Sequence, residues 1–216
     1  MPPFSEIKKE LRYQRQRASS NRLSQTAKWI GELSISVTKA EDIEKNELIR
    51  NFISTNTDQN LRFGKVYRED LDSDAGDKLS LARDLYDLRE FKKAAFIVRE
   101  FAADPNHQDA MFIHHYALWM HGDMDMREKR YQQEYSIDGK GGSKYSPFNL
   151  YANNILEIFK PLYLKKELND FNCYLFGLAL REKGQHEEAI KAFIEAINQN
   201  PLLWTAWLEI CSIINK

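Results

Sequence analysis

Residues 170–203 read DFNCYLFGLALREKGQHEEAIKAFIEAINQNPLL, and this stretch decides the fold. Apolar residues recur every three or four positions from Phe171 to Leu180, which is the period of a helix. The pattern breaks at Lys183-Gly184 and returns with Ala189, Phe193, Ala196 and Ile197. Pro201 then stops the second run, because proline lacks the N–H that would continue it. The result is an antiparallel helix pair. Small residues at Gly177 and Ala189 let the two helices approach closely, and Phe193 fills the seam between them.

The positions match a known 34-residue repeat. Counted from Asp170, Gly177 is eighth, Gly184 fifteenth, Ala189 twentieth, Phe193 twenty-fourth, Ala196 twenty-seventh and Pro201 thirty-second. These are the signature positions of the tetratricopeptide (TPR) repeat. Laid on 75–108, the same frame places Leu81, Ala82, Leu85, Phe91, Ala94, Val98 and Phe101 in the seam. Here Ala82 replaces the glycine and Pro105 comes one place early. Helices must alternate, so 109–120 and 148–165 make a third pair around an insertion at about 121–147. Residues 4–18 and 22–37 make the opening pair (4–37), followed by an insertion at 38–74. Within that insertion, Thr38-Lys39-Ala40-Glu41 is a capping box before a weaker local helix. Segments 109–169 and 170–203 thus continue one array, 1–216, and 204–214 is a lone further helix. Its Trp204, Trp207, Ile210, Ile213 and Ile214 are too apolar for a solenoid cap, so further repeats are expected beyond it. The fold class is all-α, a TPR-type solenoid whose helix pairs wind into a right-handed superhelix.

Composition agrees. The chain of 216 residues has three valines and five threonines, and glycine and proline together number 15. Sheet proteins need turn residues every 8–12 positions, and no proline occurs between Pro3 and Pro105. Lys and Arg number 31 against 32 Asp and Glu, which argues against binding nucleic acid or membrane through bulk charge. No apolar run approaches the length of a membrane span, and MPPFSEIKKE has no signal-like apolar region. With two cysteines, Cys173 and Cys211, an intracellular reducing compartment is expected.

Particular residues resemble a particular family. Asn172–Gly184, Glu188–Asn198 and Pro201–Cys211, with 26–33 (TAKWIGEL) and 81–98 (LARDLYDLREFKKAAFIV), resemble subunit eight of the anaphase-promoting complex. That family is also called the cell-division-cycle twenty-three family. The resemblance covers most of the chain outside the two insertions. It implies the N-terminal TPR half of a non-catalytic scaffold in a cell-cycle ubiquitin ligase of the nucleus and cytoplasm. It also implies homodimerisation through these repeats and contact with other TPR and scaffold subunits of the complex, with no cofactor.

Other chemistry finds little support. His186-Glu187-Glu188-Ala189-Ile190 begins like the zinc motif HExxH, but Ile190 stands at the second ligand. His107, His114 and His121 are seven apart, about 10.5 Å along a helix, too far for one ion without other ligands. Gly139-Lys140-Gly141-Gly142-Ser143 lacks the leading glycine of a phosphate loop, with Glu134 in its place. Residues 136–146, with 54–75, are expected to be the first cleaved by protease. No catalytic or metal-binding constellation is expected. The basic cluster Lys8, Lys9, Arg12, Arg15, Arg17 and Arg22 could touch RNA, but Glu6 and Glu10 dilute it. A peptide-binding co-chaperone TPR would need Lys and Asn at its fifth and ninth positions. Tyr174 and Leu178 stand there in one repeat, Leu79 and Arg83 in the other.

The opening hairpin carries two apolar stripes. Trp29 and Ile30 are neighbours and cannot both centre on one face with Leu33. One stripe packs on the following repeat, and the other is available to a second copy. Leu23, Trp29, Ile30 and Leu33 are therefore the expected dimer residues. His114, Tyr116 and Trp119 are expected to line the receiving groove.

Overall fold

The computed structural model describes residues 4–20, 23–48, 74–134 and 148–214. Among them are nine helices and no strand: α1 Phe4–Ser20, α2 Ser24–Leu48, α3 Asp74–Asp87, α4 Phe91–Ala102, α5 Gln108–Glu134, α6 Ala152–Leu164, α7 Asp170–Glu182, α8 His186–Gln199 and α9 Trp204–Ile214. The protein is all-α, and successive helices pack as TPR-like pairs. The chain divides into two compact units, 1–98 and 99–216, with the boundary inside α4.

Two helices are longer than the sequence pattern indicated. The expected break at 37 is absent, and α2 continues through Thr38 and Glu41 to Leu48. A capping box starts a helix only where the preceding one has a reason to stop. No glycine or proline supplies one between Gly31 and Leu48. Likewise α5 does not end at 120 but runs to Glu134. A single internal glycine, Gly122, weakens a helix by about 1 kcal/mol without breaking it. Both expected insertions therefore begin inside continuous helices. Residues 49–73 and 135–147, which hold the rest of them and the Gly139–Ser143 loop, lie outside the described residues.

The turns carry the repeat frame in their backbone. Gly184 has φ +75°, and the N–H of Gln185 reaches back to the carbonyl of Leu180 at 3.0 Å. In the 75–108 frame the fifteenth residue is Arg89, with φ +61°. There the N–H of Glu90 donates to Leu85 at 2.9 Å, the same closure at the same register. Lys166 ends α6 in the same way at φ +58°, the N–H of Glu167 donating to Leu162 at 3.0 Å. This left-handed helix end favours glycine, and an L side chain costs about 1–2 kcal/mol there. Arg89→Gly is therefore expected to raise the stability of the 1–98 unit by up to about 1 kcal/mol, read as a higher urea midpoint at unchanged slope.

The second unit has one continuous core. Met111 and Trp119 of α5, Ile155 and Phe159 of α6, Leu175 and Leu178 of α7, Phe193 and Ala196 of α8 and Ala206 of α9 all belong to it. Polar ties align the helices. Asn169 caps α7, its side chain accepting from the N–H of Asn172. The Asn172 carboxamide donates to the backbone and side-chain oxygens of Gln108 at 3.0 and 2.8 Å. Arg181 of α7 pairs with Glu209 of α9. In the first unit Leu79, Leu81, Ala82, Leu85, Phe91, Ala94 and Val98 are buried, as are Ala18, Ala27 and Ile30.

Candidate interaction surfaces

The seam between α7 and α8 is as tight as the small residues require. A Cβ added at Gly177 would lie 2.5–2.9 Å from three ring atoms of Phe193, closer than atoms in van der Waals contact can sit. Phe193, Ala189 and Ala196 have no exposed surface, nor do Ala82 and Ala94 in the earlier repeat. Gly184 supplies the turn, and Pro201 lies exposed in the turn after α8.

A second close approach gave no signal in the sequence. A Cβ at Gly122 would collide with the fully buried Asn149 carboxamide. That side chain donates to the Trp119 carbonyl at 2.8 Å and accepts from the Tyr151 N–H at 3.1 Å. The backbone N–H of Asn149 meets Glu182 at 3.1 Å. Asn149 thus anchors the start of α6 beside α5, and Gly122 makes room for it.

The expected dimer residues separate into two groups. Trp29 is 62% exposed and Leu23 56%, and Leu33 is also at the surface. Ile30 is not: it is buried with Ala18 and Ala27, with Leu11 packed against them. The two stripes exist, and Ile30 belongs to the inner one. On α5, His114 and Tyr116 are half-buried, with Tyr116 stacked on Phe112 at a centroid distance of 4.9 Å. Trp119 is a core residue, 7% exposed, in the cluster that also holds Ile155, Phe159 and Leu175. Ile30 and Trp119 are therefore unavailable to a partner while their units stay folded.

On α9, Trp204, Trp207, Leu208 and Ile214 form an exposed apolar surface, whereas Ile210 and Ile213 pack on the core. Cys173 is buried in the core and Cys211 is exposed. At the fifth and ninth positions, Tyr174, Leu178 and Leu79 are buried, so they offer no grip for a free carboxylate.

The basic cluster meets α3. Arg12 donates through Nε and Nη2 to the two carboxylate oxygens of Asp77, both at 2.9 Å. Arg15 donates to Asp84 at 2.8 Å and to the Ser80 carbonyl at 2.8 Å. Lys28 of α2 pairs with Glu90 at 2.6 Å; hydrogen bonds from Lys28 and Lys93 hold that carboxyl below the usual range. Arg12 and Arg15, both in the cluster named from the sequence, are thus neutralised within the chain, which weakens the RNA reading.

Burial pushes the Cys173 thiol up to about 12, helped by Glu195 and Asp170, leaving no thiolate near neutral pH. The three spaced histidines have separate surroundings: Phe101 for His107, His115 for His114 and Asp125 for His121. His186 and the two glutamates after it open α8.

Known proteins are similar to this chain in sequence. The family described as anaphase promoting complex subunit 8 / Cdc23 matches residues 6–216, nearly the whole chain. The chain belongs to that family. It is 31% identical over 139 residues to the cell division cycle protein 23 homolog of Homo sapiens, covering 64% of this chain and 22% of that protein. It is 29% identical, with the same coverage, to anaphase-promoting complex subunit 8 of Arabidopsis thaliana. The match therefore spans about a fifth of the length of these relatives.

One buried histidine couples the stability of this chain to pH. His115 is 4% exposed, lies edge-on to Phe159 at 5.0 Å, and is pushed down to about 3 by burial and then by His114. The folded chain keeps it neutral, while the unfolded chain protonates it below about 6.5. Its contribution is therefore fully present above about pH 6.5 and is lost as pH falls toward 3, at up to about 1.4 kcal/mol per pH unit. Urea midpoints followed from neutral pH to about pH 4 should fall more steeply for the natural chain than for His115→Leu. Equal slopes would contradict the assignment.

Proposed function

We propose that this chain is a non-catalytic scaffold and homodimerisation module of the anaphase-promoting complex, a ubiquitin ligase of the cell cycle, working in the nucleus and cytoplasm. It binds a second copy of itself and other subunits of that complex through helix-pair surfaces and uses no cofactor. Family membership supports the place in the complex, since the relatives are named as its subunits. The observation that carries the dimer reading is the exposed pair Trp29 and Leu33, one turn apart on α2, beside a buried Ile30, with Leu23 exposed at the start of that helix. Large exposed apolar residues clustered on one face mark interaction sites, and a two-fold contact between identical surfaces is the commonest closed assembly. His114 and Tyr116 are the residues proposed to receive it.

Light scattering should give a mass near twice the 25.4 kDa chain. Trp29→Glu should return it to the single-chain value with little change in thermal stability, since that side chain is already 62% exposed. A single-chain mass for the natural sequence at high concentration would overturn the dimer. Loss of dimer together with loss of fold would instead make the stripe internal structure.

A further inference from the structure

We propose that the cavity where α6, α7 and α8 meet is an anchor site for a tryptophan side chain presented by a partner chain, its indole N–H donating to Glu195. The site rests on the reading of this chain as a subunit of a larger assembly, but not on the homodimer.

A fixed turn builds the cavity. Helix α6 ends at Leu164, Lys166 takes the left-handed conformation at φ +58°, and Leu168 is buried at 4% exposure. Asn169 then caps α7. The Cys173 thiol of that helix donates to the Leu168 carbonyl at 3.7 Å. From α8, the Gln199 carboxamide donates to the same carbonyl at 3.2 Å and to the Cys173 sulfur at 3.8 Å. These bonds tie the turn, α7 and α8 together around about 230 Å³ of space. The site is therefore formed before any ligand arrives.

Size and lining select the occupant. Sites for free small ligands hold about 300–1,000 Å³, whereas a cavity of about 150 Å³ admits a single benzene ring. A volume between these suits one large side chain with two fused rings. Tyr163, Leu164, Leu168 and Cys173 line it, and a sulfur beside an aromatic ring is a favourable contact. Lys166 and Glu195 complete the charged part of the lining, and neither makes an ion pair among the described residues. Burial and then the Glu195 charge raise the Cys173 thiol; burial, Cys173 and Glu195 raise the Tyr163 hydroxyl. That carboxylate therefore acts on the cavity interior. A carboxylate only accepts hydrogen bonds, and an indole N–H only donates. A cation is attracted to the face of an aromatic ring, which is the role open to Lys166. An aliphatic anchor would use neither group, and a phenol would bring one ring to a space larger than one ring needs.

Proton–nitrogen NMR of the full chain titrated with N-acetyltryptophanamide tests it. Amides of Leu164, Lys166, Leu168, Cys173 and Gln199 should shift saturably. The N-methylindole analogue of the probe, with the same rings and no N–H, should bind at least about ten-fold more weakly. In Glu195→Ala the two probes should bind alike, because the acceptor that tells them apart is gone. Lys166→Gly keeps the left-handed turn and removes the cation, and should weaken both probes by about two- to five-fold. Equal binding of the two probes to the natural chain, or no saturable shift at all, would overturn the assignment. Shifts of the same signals on concentrating the protein without probe would seat a second copy there and overturn it too. Free indole entering while N-acetyltryptophanamide is excluded would make the cavity a small-molecule site, which also defeats the proposal. The probes are read on this chain alone, so failure of the cavity is distinguishable from failure of the assembly reading.

Discussion

Replacing Phe193 by alanine should destabilise the 99–216 unit by about 3–5 kcal/mol, the range for emptying a fully buried aromatic site. Phe193 has no exposed surface, faces Gly177 across the helix pair and lies 5.9 Å from the Tyr174 ring. Collapse around the void is restricted, because its neighbours Ala189, Ala192 and Ala196 are themselves small and backbone-fixed. Urea unfolding followed by circular dichroism would measure the loss. An effect below about 1 kcal/mol would mean that Phe193 is not the seam residue.

Gly177→Leu acts on the other side of the same contact and with the opposite defect. The Cβ alone would sit inside the contact distance of the Phe193 ring, so the larger side chain must force α7 and α8 apart. Overpacking of this kind costs about 1–3 kcal/mol. The two defects share one site, so they should not add. Gly177→Leu combined with Phe193→Ala should be more stable than the sum of the single losses implies, since the leucine enters the space the ring vacates. Strict additivity, measured in a double-mutant cycle, would show that the two residues do not meet. Arg89→Gly makes the complementary argument for the first unit: the turn there has the same register as Gly184 but lacks the glycine that suits it.

Most of the helical frame was legible in the sequence because it is local. The 3.6 period of apolar residues, the stop at Pro201 and the small residues at Gly177, Ala82, Ala189 and Ala94 depend on nearby neighbours, and the observed helices follow them. The misreadings were also local in origin. A capping box at Thr38–Glu41 reads as a helix start in the sequence, yet a helix continues when nothing forces its carbonyls to find other partners. The two apolar stripes of the opening hairpin were half legible. Adjacency alone showed that Trp29 and Ile30 must face different ways, but not which of them faces out.

By itself, the sequence determined the class of fold, the repeat frame and the family, all of which rest on spacing within one or two helices. Only the tertiary structure decided that Ile30 and Trp119 are core residues. It alone paired Arg12 and Arg15 with Asp77 and Asp84, and set the Asn149 carboxamide in the space left at Gly122. The physical reason is range. A helix period is set by hydrogen bonds four residues apart, whereas these contacts join side chains 27 to 69 positions distant, whose meeting depends on how whole helices stack.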